Sequence, residues 1–299
     1  VADRFGRTIQ LFLVDGTATG LRRLTLHGWT GVVFTGSETA FGDLVARDEV
    51  DRTGIYVLSG PDPERPERQR VYIGSGNSVA ERVQQSAEKR SFWETATTVT
   101  TSDDDLSKGH AEYLEARLIE MADRSGRVTL DNSVRPDAIR RRLPEADIAN
   151  MEQFLANLRI VLPVVGHDML KPPPKTAIEK TKGETEETSF EIRHRSGVKA
   201  KAVEQDGDFI VLEGSESLCD TGYASNTYAQ LKDSLLREGV LVPSVPGRLK
   251  FERPHAFRSP SAAAAVILDR NSNGRTEWKV AGSDQTYQIW QEARAEERS

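Results

Sequence analysis

The order of apolar and polar positions divides the chain into a strand-rich first part, a polar bridge and a shorter mixed second part. Residues Thr8 to Val14 alternate apolar and polar as a half-buried strand does, and Asp15-Gly16 offers a turn back into the apolar run from Leu21 to Val33. A short helix is expected near Glu38 to Ala46. Strands are expected at Gly54 to Ser59 and Arg70 to Ser75, separated by Gly60-Pro61-Asp62-Pro63-Glu64-Arg65-Pro66. Three prolines there argue against continuous pairing, so the segment reads as a long, exposed connection. Helical patterns follow at Ser78 to Arg90, Lys108 to Arg124 and Glu145 to Val161, with a strand at Trp93 to Thr100 between the first two.

From Lys171-Pro172-Pro173-Pro174-Lys175 to Glu187 the chain is almost free of apolar residues and cannot bury enough surface to offset its chain entropy. That places a linker at 169–187, between an N-terminal domain at 1–168 and a C-terminal domain at 188–299. In the latter, Phe190 to Leu212 reads as short strands turning at Ser196-Gly197 and Asp206-Gly207. A two-residue turn at Ser196-Gly197 would put Arg193 and Arg195 on opposite faces from Lys199 and Lys201, which argues against a shared basic groove. A helix is expected at Tyr228 to Glu238, ending at Gly239. Another should start after Ser259, which can cap it, with Pro260 in the first turn and Ala262 to Ala265 propagating it.

Composition narrows the class. At 299 residues, 37% hydrophobic and 29% charged, the chain suits two domains, and no apolar run reaches membrane-spanning length. No signal-peptide pattern opens the sequence. The one cysteine, Cys219, excludes an intramolecular disulfide and a thiolate metal cluster, so a reducing cytoplasm is the expected setting. The net charge is −6. Residues 1–168 carry 21 basic and 26 acidic side chains and the remainder 19 and 20, giving −5 and −1. A nucleic-acid footprint would therefore be local, and Arg135, Arg140, Arg141 and Arg142 form the densest basic group.

Against that background, Gly54-Ile55-Tyr56 and Tyr72-Ile73-Gly74 fall on successive strands, Arg82 on the next helix and Glu115 in Leu114-Glu115-Ala116-Arg117-Leu118-Ile119 on the one after. Asn132 follows in Leu130-Asp131-Asn132. In this order the set resembles the GIY-YIG nuclease superfamily over roughly residues 1–165. The resemblance implies an α/β (α+β) domain, a small GIY-YIG type sheet with flanking helices, followed here by a smaller α+β domain. It also implies a metal-dependent endonuclease cutting phosphodiesters in DNA, with Mg²⁺ or Mn²⁺ held by Glu115. The segment from Ser259 through Asn273-Gly274-Arg275 to Trp278 resembles the RAMA domain found beside restriction and modification enzymes. DNA, including modified DNA, is the implied partner, and restriction or phage defence the implied setting. A non-cleaving DNA-binding module on the same fold and an RNA-cleaving nuclease are the alternatives.

Each residue type has a chemical reason to be there and an ordinary alternative. A hard divalent ion takes one or two carboxylates plus phosphate oxygens and waters, which suits Glu115; a solvated helix carboxylate is the alternative. Tyr56 and Tyr72 would share the tasks of accepting the water's proton and hydrogen-bonding the phosphate. A phenol of pKa about 10 does the first only if a nearby cation favours its anion. Two tyrosines packing in a small core is the alternative. Arg82 would clamp the scissile phosphate, and Asn132 would hold the fold or the substrate. His110, opening the Glu115 helix, is a candidate proton donor, and Lys108, Arg140 and Arg141 are candidate substrate contacts. There are two departures: the family often has a basic residue after the second Gly, where this chain has Ser75, and the connection from Tyr56 to Tyr72 is longer than a plain hairpin.

Overall fold

The computed structural model describes residues 6–133, 143–170, 188–205, 207–219 and 227–296, and every structural statement below concerns those residues. The chain divides into two compact units, Asp3–Pro173 and, from Pro174, the remainder to Ser299. Both are mixed α/β, with several sheets and helices between them. No helix is long and apolar enough to cross a membrane.

The first unit runs β1 (Ile9–Leu13), β2 (Arg22–Leu26), β3 (Gly31–Ser37), α1 (Phe41–Val45), β4 (Gly54–Asp62), β5 (Arg65–Gly76) and α2 (Val79–Ala87). It continues through β6 (Thr95–Thr101), α3 (Lys108–Ser125), β7 (Val128–Leu130) and α4 (Glu145–Val161). The apolar run from Leu21 to Val33 is two strands rather than one, because Gly28 turns the chain at φ 77°. The strands form a seven-stranded sheet in the order β1-β2-β3-β6-β4-β5-β7. All pairs are antiparallel except β5 with β7. Alternation along β4 sends successive side chains to opposite faces. Ile55 and Val57 join Leu114, Leu118 and Leu158 of α3 and α4 in one core, while Tyr56 and Leu58 join Val79 and Val83 of α2 in the other.

The proline-rich segment differs from the sequence expectation. β4 and β5 continue through it as a long hairpin, Gly60 pairing with Arg70 and Pro61 with Gln69. The register slips between Pro61 and Asp62, the kind of irregularity that admits a proline to a strand. Asp62 then closes the turn, accepting from the Glu64 amide at 3.1 Å and from Arg70 at 2.9 Å.

Helix α3 is fixed at both ends and along its length. Ser107 caps it, accepting from the His110 amide, and Gly126 ends it at φ 62°. Against α4, Glu152 accepts from Tyr113 at 2.7 Å and from Arg117 Nε at 2.5 Å. These contacts set the rotation of α3 and hence where Glu115 points.

The second unit contains β8 (Ser189–Arg193), β9 (Lys199–Gln205), β10 (Asp208–Val211), β11 (Glu216–Leu218), α5 (Ala229–Arg237), β12 (Leu241–Pro243), β13 (Arg248–Phe251) and β14 (His255–Phe257). It ends with α6 (Pro260–Leu268), α7 (Gly274–Glu277), β15 (Lys279–Val280) and α8 (Tyr287–Glu296). A five-stranded sheet, β14-β10-β9-β8-β15, and a three-stranded one, β11-β13-β12, enclose a core around the fully buried Trp278, Phe209 and Phe190. Ser259 caps α6 as expected, accepting from the Ala262 amide at 3.1 Å. The β8–β9 turn is longer than two residues: Arg193 pairs with Lys199 and Glu191 with Lys201. These four therefore share one face, with Glu191 held by Arg193 at 2.8 Å, so the expected separation does not hold for Arg193, while Arg195 lies in the turn.

Candidate functional site

The β4–β5 register builds the site. Tyr56 pairs with Gly74, Leu58 with Tyr72 and Gly54 with Gly76, so Tyr56, Tyr72, Gly74 and Gly76 lie on the face covered by α2. Ile55 pairs with Ser75, on the α3 face. Strand β7 covers the outer edge of β5 only from Gln69 to Val71. Beyond Val71 no strand among the described residues pairs with that edge of β5.

Asn132 takes over where β7 stops. Its Oδ1 accepts from the Ile73 amide at 3.0 Å and its Nδ2 donates to the Ile73 carbonyl at 2.7 Å. The side-chain amide thus imitates one more residue of a paired strand, and Asn132 acts on the backbone between Tyr72 and Gly74.

Tyr56 is fully buried, and its hydroxyl shares a 2.7 Å hydrogen bond with Ser86 Oγ. Burial pushes the phenol up to about 12; the Ser86 hydrogen bond and Arg82 pull it down, while Tyr72 and Glu115 push it up. Tyr72 is half-buried, with its ring centroid 6.2 Å from that of Tyr56. Over its face lies the Arg90 guanidinium, 3.3 Å from the centroid, a cation–π contact of about 0.5–2 kcal/mol.

Arg82 is exposed on α2, its stem crossing Gly76 and its Nη1 donating to Gln85 at 2.9 Å. Glu115 reaches the same strand end from the other face, where Ser75 Oγ donates to its Oε2 at 2.5 Å. Its Oε1 has no hydrogen-bond partner among the described residues. Burial raises the Glu115 carboxyl above its ordinary range, the Ser75 hydroxyl opposes this, Glu112 adds to it and Arg82 lowers it. Tyr56 packs on Gly74, the Arg82 stem crosses Gly76 and Glu115 is bonded to Ser75, so the three groups gather at one strand end although they belong to three elements.

The other expected residues lie apart or are otherwise engaged. His110 Nδ1 accepts from the Ser107 amide at 3.3 Å, closing the α3 cap, and its Nε2 faces Asp147 at 3.6 Å. Lys108 is 71% exposed, 3.8 Å from Glu112. Arg135, Arg140, Arg141 and Arg142 lie outside the described residues. Ser86 and Arg90 are contacts that the sequence left unmarked, and Ser75, noted there only as a departure, is bonded to Glu115. Alternation places Ser75 on the face opposite Tyr72, yet nothing local reveals that Glu115 waits there.

Among the described residues no group of three or more His, Cys, Asp and Glu could hold a metal ion. The donor set at Glu115 is one carboxylate oxygen. That fits a hard divalent cation which keeps several waters and is otherwise bound by substrate phosphates, and does not fit a closed all-protein cage.

Residues 190–291, within the second unit, match a family described as a domain of unknown function, DUF4357. No curated protein and no solved structure matches the chain.

Proposed function

We propose that the chain is a metal-dependent endonuclease that hydrolyses phosphodiester bonds in DNA, serving restriction or phage defence, with its first unit of the GIY-YIG kind. The observation that carries this reading is the gathering of Tyr56, Tyr72, Arg82 and Glu115 at the open end of β5. Phosphodiester hydrolysis needs an activated water, charge to offset the non-bridging oxygens and help for the leaving oxygen. Mg²⁺ or Mn²⁺ on Glu115 would supply Lewis acidity there.

The chain's own groups divide the remaining work. Arg82, exposed and always charged, presents a planar fork to phosphate oxygens. With its phenol pushed up to about 12, Tyr56 rests protonated, and it can accept the water's proton only after giving up its own, a loss that added positive charge nearby favours. Tyr72, less buried, is its partner in that exchange, and the two are assigned the base and phosphate-binding roles jointly. Asn132 holds the strand that carries Tyr72. Ser75 orients the Glu115 carboxylate, leaving Oε1 for the cation. Lys108, Arg140 and Arg141 are assigned to substrate contacts, and His110 to proton donation or a phosphate contact. The second unit is proposed to select the nucleic acid, including modified DNA as the RAMA-like segment implies.

A second reading draws on Tyr56. A phenol near 12 suits a module that binds DNA without cutting it, and the net charge of −6 would confine either activity to a local basic surface. Incubation of purified protein with duplex, single-stranded and methylated DNA and with RNA, with and without Mg²⁺ or Mn²⁺, separates the readings when read beside gel shifts. The nuclease reading expects metal-dependent nicks or breaks in DNA. Shifts without cleavage would favour the binding module, and cleavage confined to RNA would change the substrate class.

A further inference from the structure

Arg90 belongs to none of the motifs, yet its three contacts all lead to the tyrosine pair. The guanidinium carbon sits 3.3 Å from the centroid of the Tyr72 ring. Nε donates to Asp131 Oδ2 at 2.8 Å, and Nη1 donates to the Ser86 carbonyl at 3.0 Å. Ser86 is the residue whose hydroxyl meets the Tyr56 phenol. Asp131 donates its amide to the Val71 carbonyl at 2.8 Å, and the next residue, Asn132, takes both backbone groups of Ile73. Both chain neighbours of Tyr72 are therefore pinned from one side while Arg90 covers its ring.

Arg90 is poorly suited to meeting substrate. Its side chain is 17% exposed and its charge is answered by Asp131, which also faces Arg70 at 3.9 Å. Arg82, exposed and bonded only to a neutral glutamine among the described residues, is the cation left for phosphate. Arg82 within α2 and Arg90 beyond its C-terminus thus have different work.

We propose that Arg90 is a positioning residue: its planar guanidinium fixes the Tyr72 ring and, through Ser86, ties that ring to the Tyr56 phenol. The consequence for catalysis rests on the nuclease reading; the clamp does not. Tyr72 is only half-buried, so burial alone does not enclose its side chain, whose χ1 has three staggered wells. A reacting group displaced by about 1 Å loses roughly 100-fold in rate. Lysine would keep the charge but has neither the plane that stacks on a ring nor the fork that reaches Asp131 and Ser86 together.

The test compares wild type, Arg90→Lys, Arg90→Met and Asp131→Asn, all checked for an unchanged far-ultraviolet spectrum. Ring resonances of ¹³C-labelled tyrosine are followed in each, with Tyr72→Phe identifying the Tyr72 signal. Cleavage of duplex DNA with Mn²⁺ is measured in parallel as kcat and KM. The clamp predicts that both Arg90 variants shift and broaden the Tyr72 ring signal. It also predicts that kcat falls roughly tenfold to 100-fold with KM within about twofold, and that lysine gives no rescue. Asp131→Asn, which keeps a hydrogen-bond acceptor, should fall between. An unchanged Tyr72 signal in Arg90→Lys and Arg90→Met overturns the clamp whatever the rates do. A perturbed ring with unchanged kcat overturns its catalytic role. If wild type cuts no substrate, the nuclease reading and the catalytic role fail together, while the ring signal still decides the clamp.

Discussion

The ring of Tyr56 occupies the space where any residue other than glycine at position 74 would carry its β-carbon. The two are cross-strand partners on one face of the β4–β5 pair, and a methyl on Gly74 would overlap the Tyr56 Cζ and phenol oxygen. Since Tyr56 is fully buried, its ring has no open side to retreat to. Gly74→Ala should therefore lose about 1–3 kcal/mol of stability in urea unfolding, as overpacked cores do, and should break the Tyr56–Ser86 hydrogen bond. Wild-type stability in that variant would show that the packing is looser than described.

Removing the Asn132 side chain should be felt at Ile73 rather than throughout the fold. Asn132→Ala leaves the amide and carbonyl of Ile73 without their partners, at a cost of roughly 1–3 kcal/mol. Hydrogen exchange of the Ile73 amide should accelerate selectively, with core amides of β3 and β6 slowed or sped only by the global change. An Ile73 amide as protected as in wild type would contradict the pairing.

What the sequence made legible follows from how local each signal is. Helix α4 spans Glu145–Val161 as its periodicity predicts, and Ser259 caps α6, because both signals lie within one or two turns of chain. The hairpin through Pro61 and Pro63 was misread because its irregularity is a property of the strand pair. His110 shows a contact the residue type alone does not reveal: its side chain completes the cap of α3 with Ser107. Tyr56, Tyr72, Arg82 and Glu115 were visible as residue types in order. The contacts of Ser75 and Arg90 were not, since their partners stand 40 and 18 positions away and no periodicity links them.

His167 makes stability depend on pH. It is wholly buried, its Nε2 meeting Thr97 Oγ1 at 2.8 Å and its Nδ1 lacking a partner among the described residues. Burial depresses its pKa from 6.5 to about 4, with Asp168 opposing weakly. Between those values the unfolded chain binds the proton and the folded one does not, so stability is full above pH 6.5 and falls as pH drops towards 4. The loss should reach ~3 kcal/mol near pH 4. Urea unfolding from pH 7.5 to 4.5 should show this slope, and His167→Gln should flatten it; an equal slope in the variant would contradict the assignment.

Glu115 should show the opposite sign. Its carboxyl is raised by burial, so it favours the fold when protonated, below its unfolded pKa, and loses that contribution as pH rises through the folded value. At pH 8 Glu115→Gln, which keeps an acceptor for Ser75, should melt no lower than wild type. Ser75→Ala removes a hydroxyl that lowers this carboxyl, so the acid limb of the cleavage profile should move to higher pH. A Glu115→Gln protein that melts well below wild type would mean that the charged form supports the fold.

The central claim is that Glu115 and the tyrosine pair form one phosphodiester-cleaving centre, and cleavage of labelled duplex DNA by wild type and Glu115→Ala in Mg²⁺ or Mn²⁺ tests it most directly. The account predicts metal-dependent nicking or cutting by wild type and a rate reduced by roughly 10³-fold or more in the variant, with DNA retained in a gel shift. Equal cutting by the two proteins would contradict it.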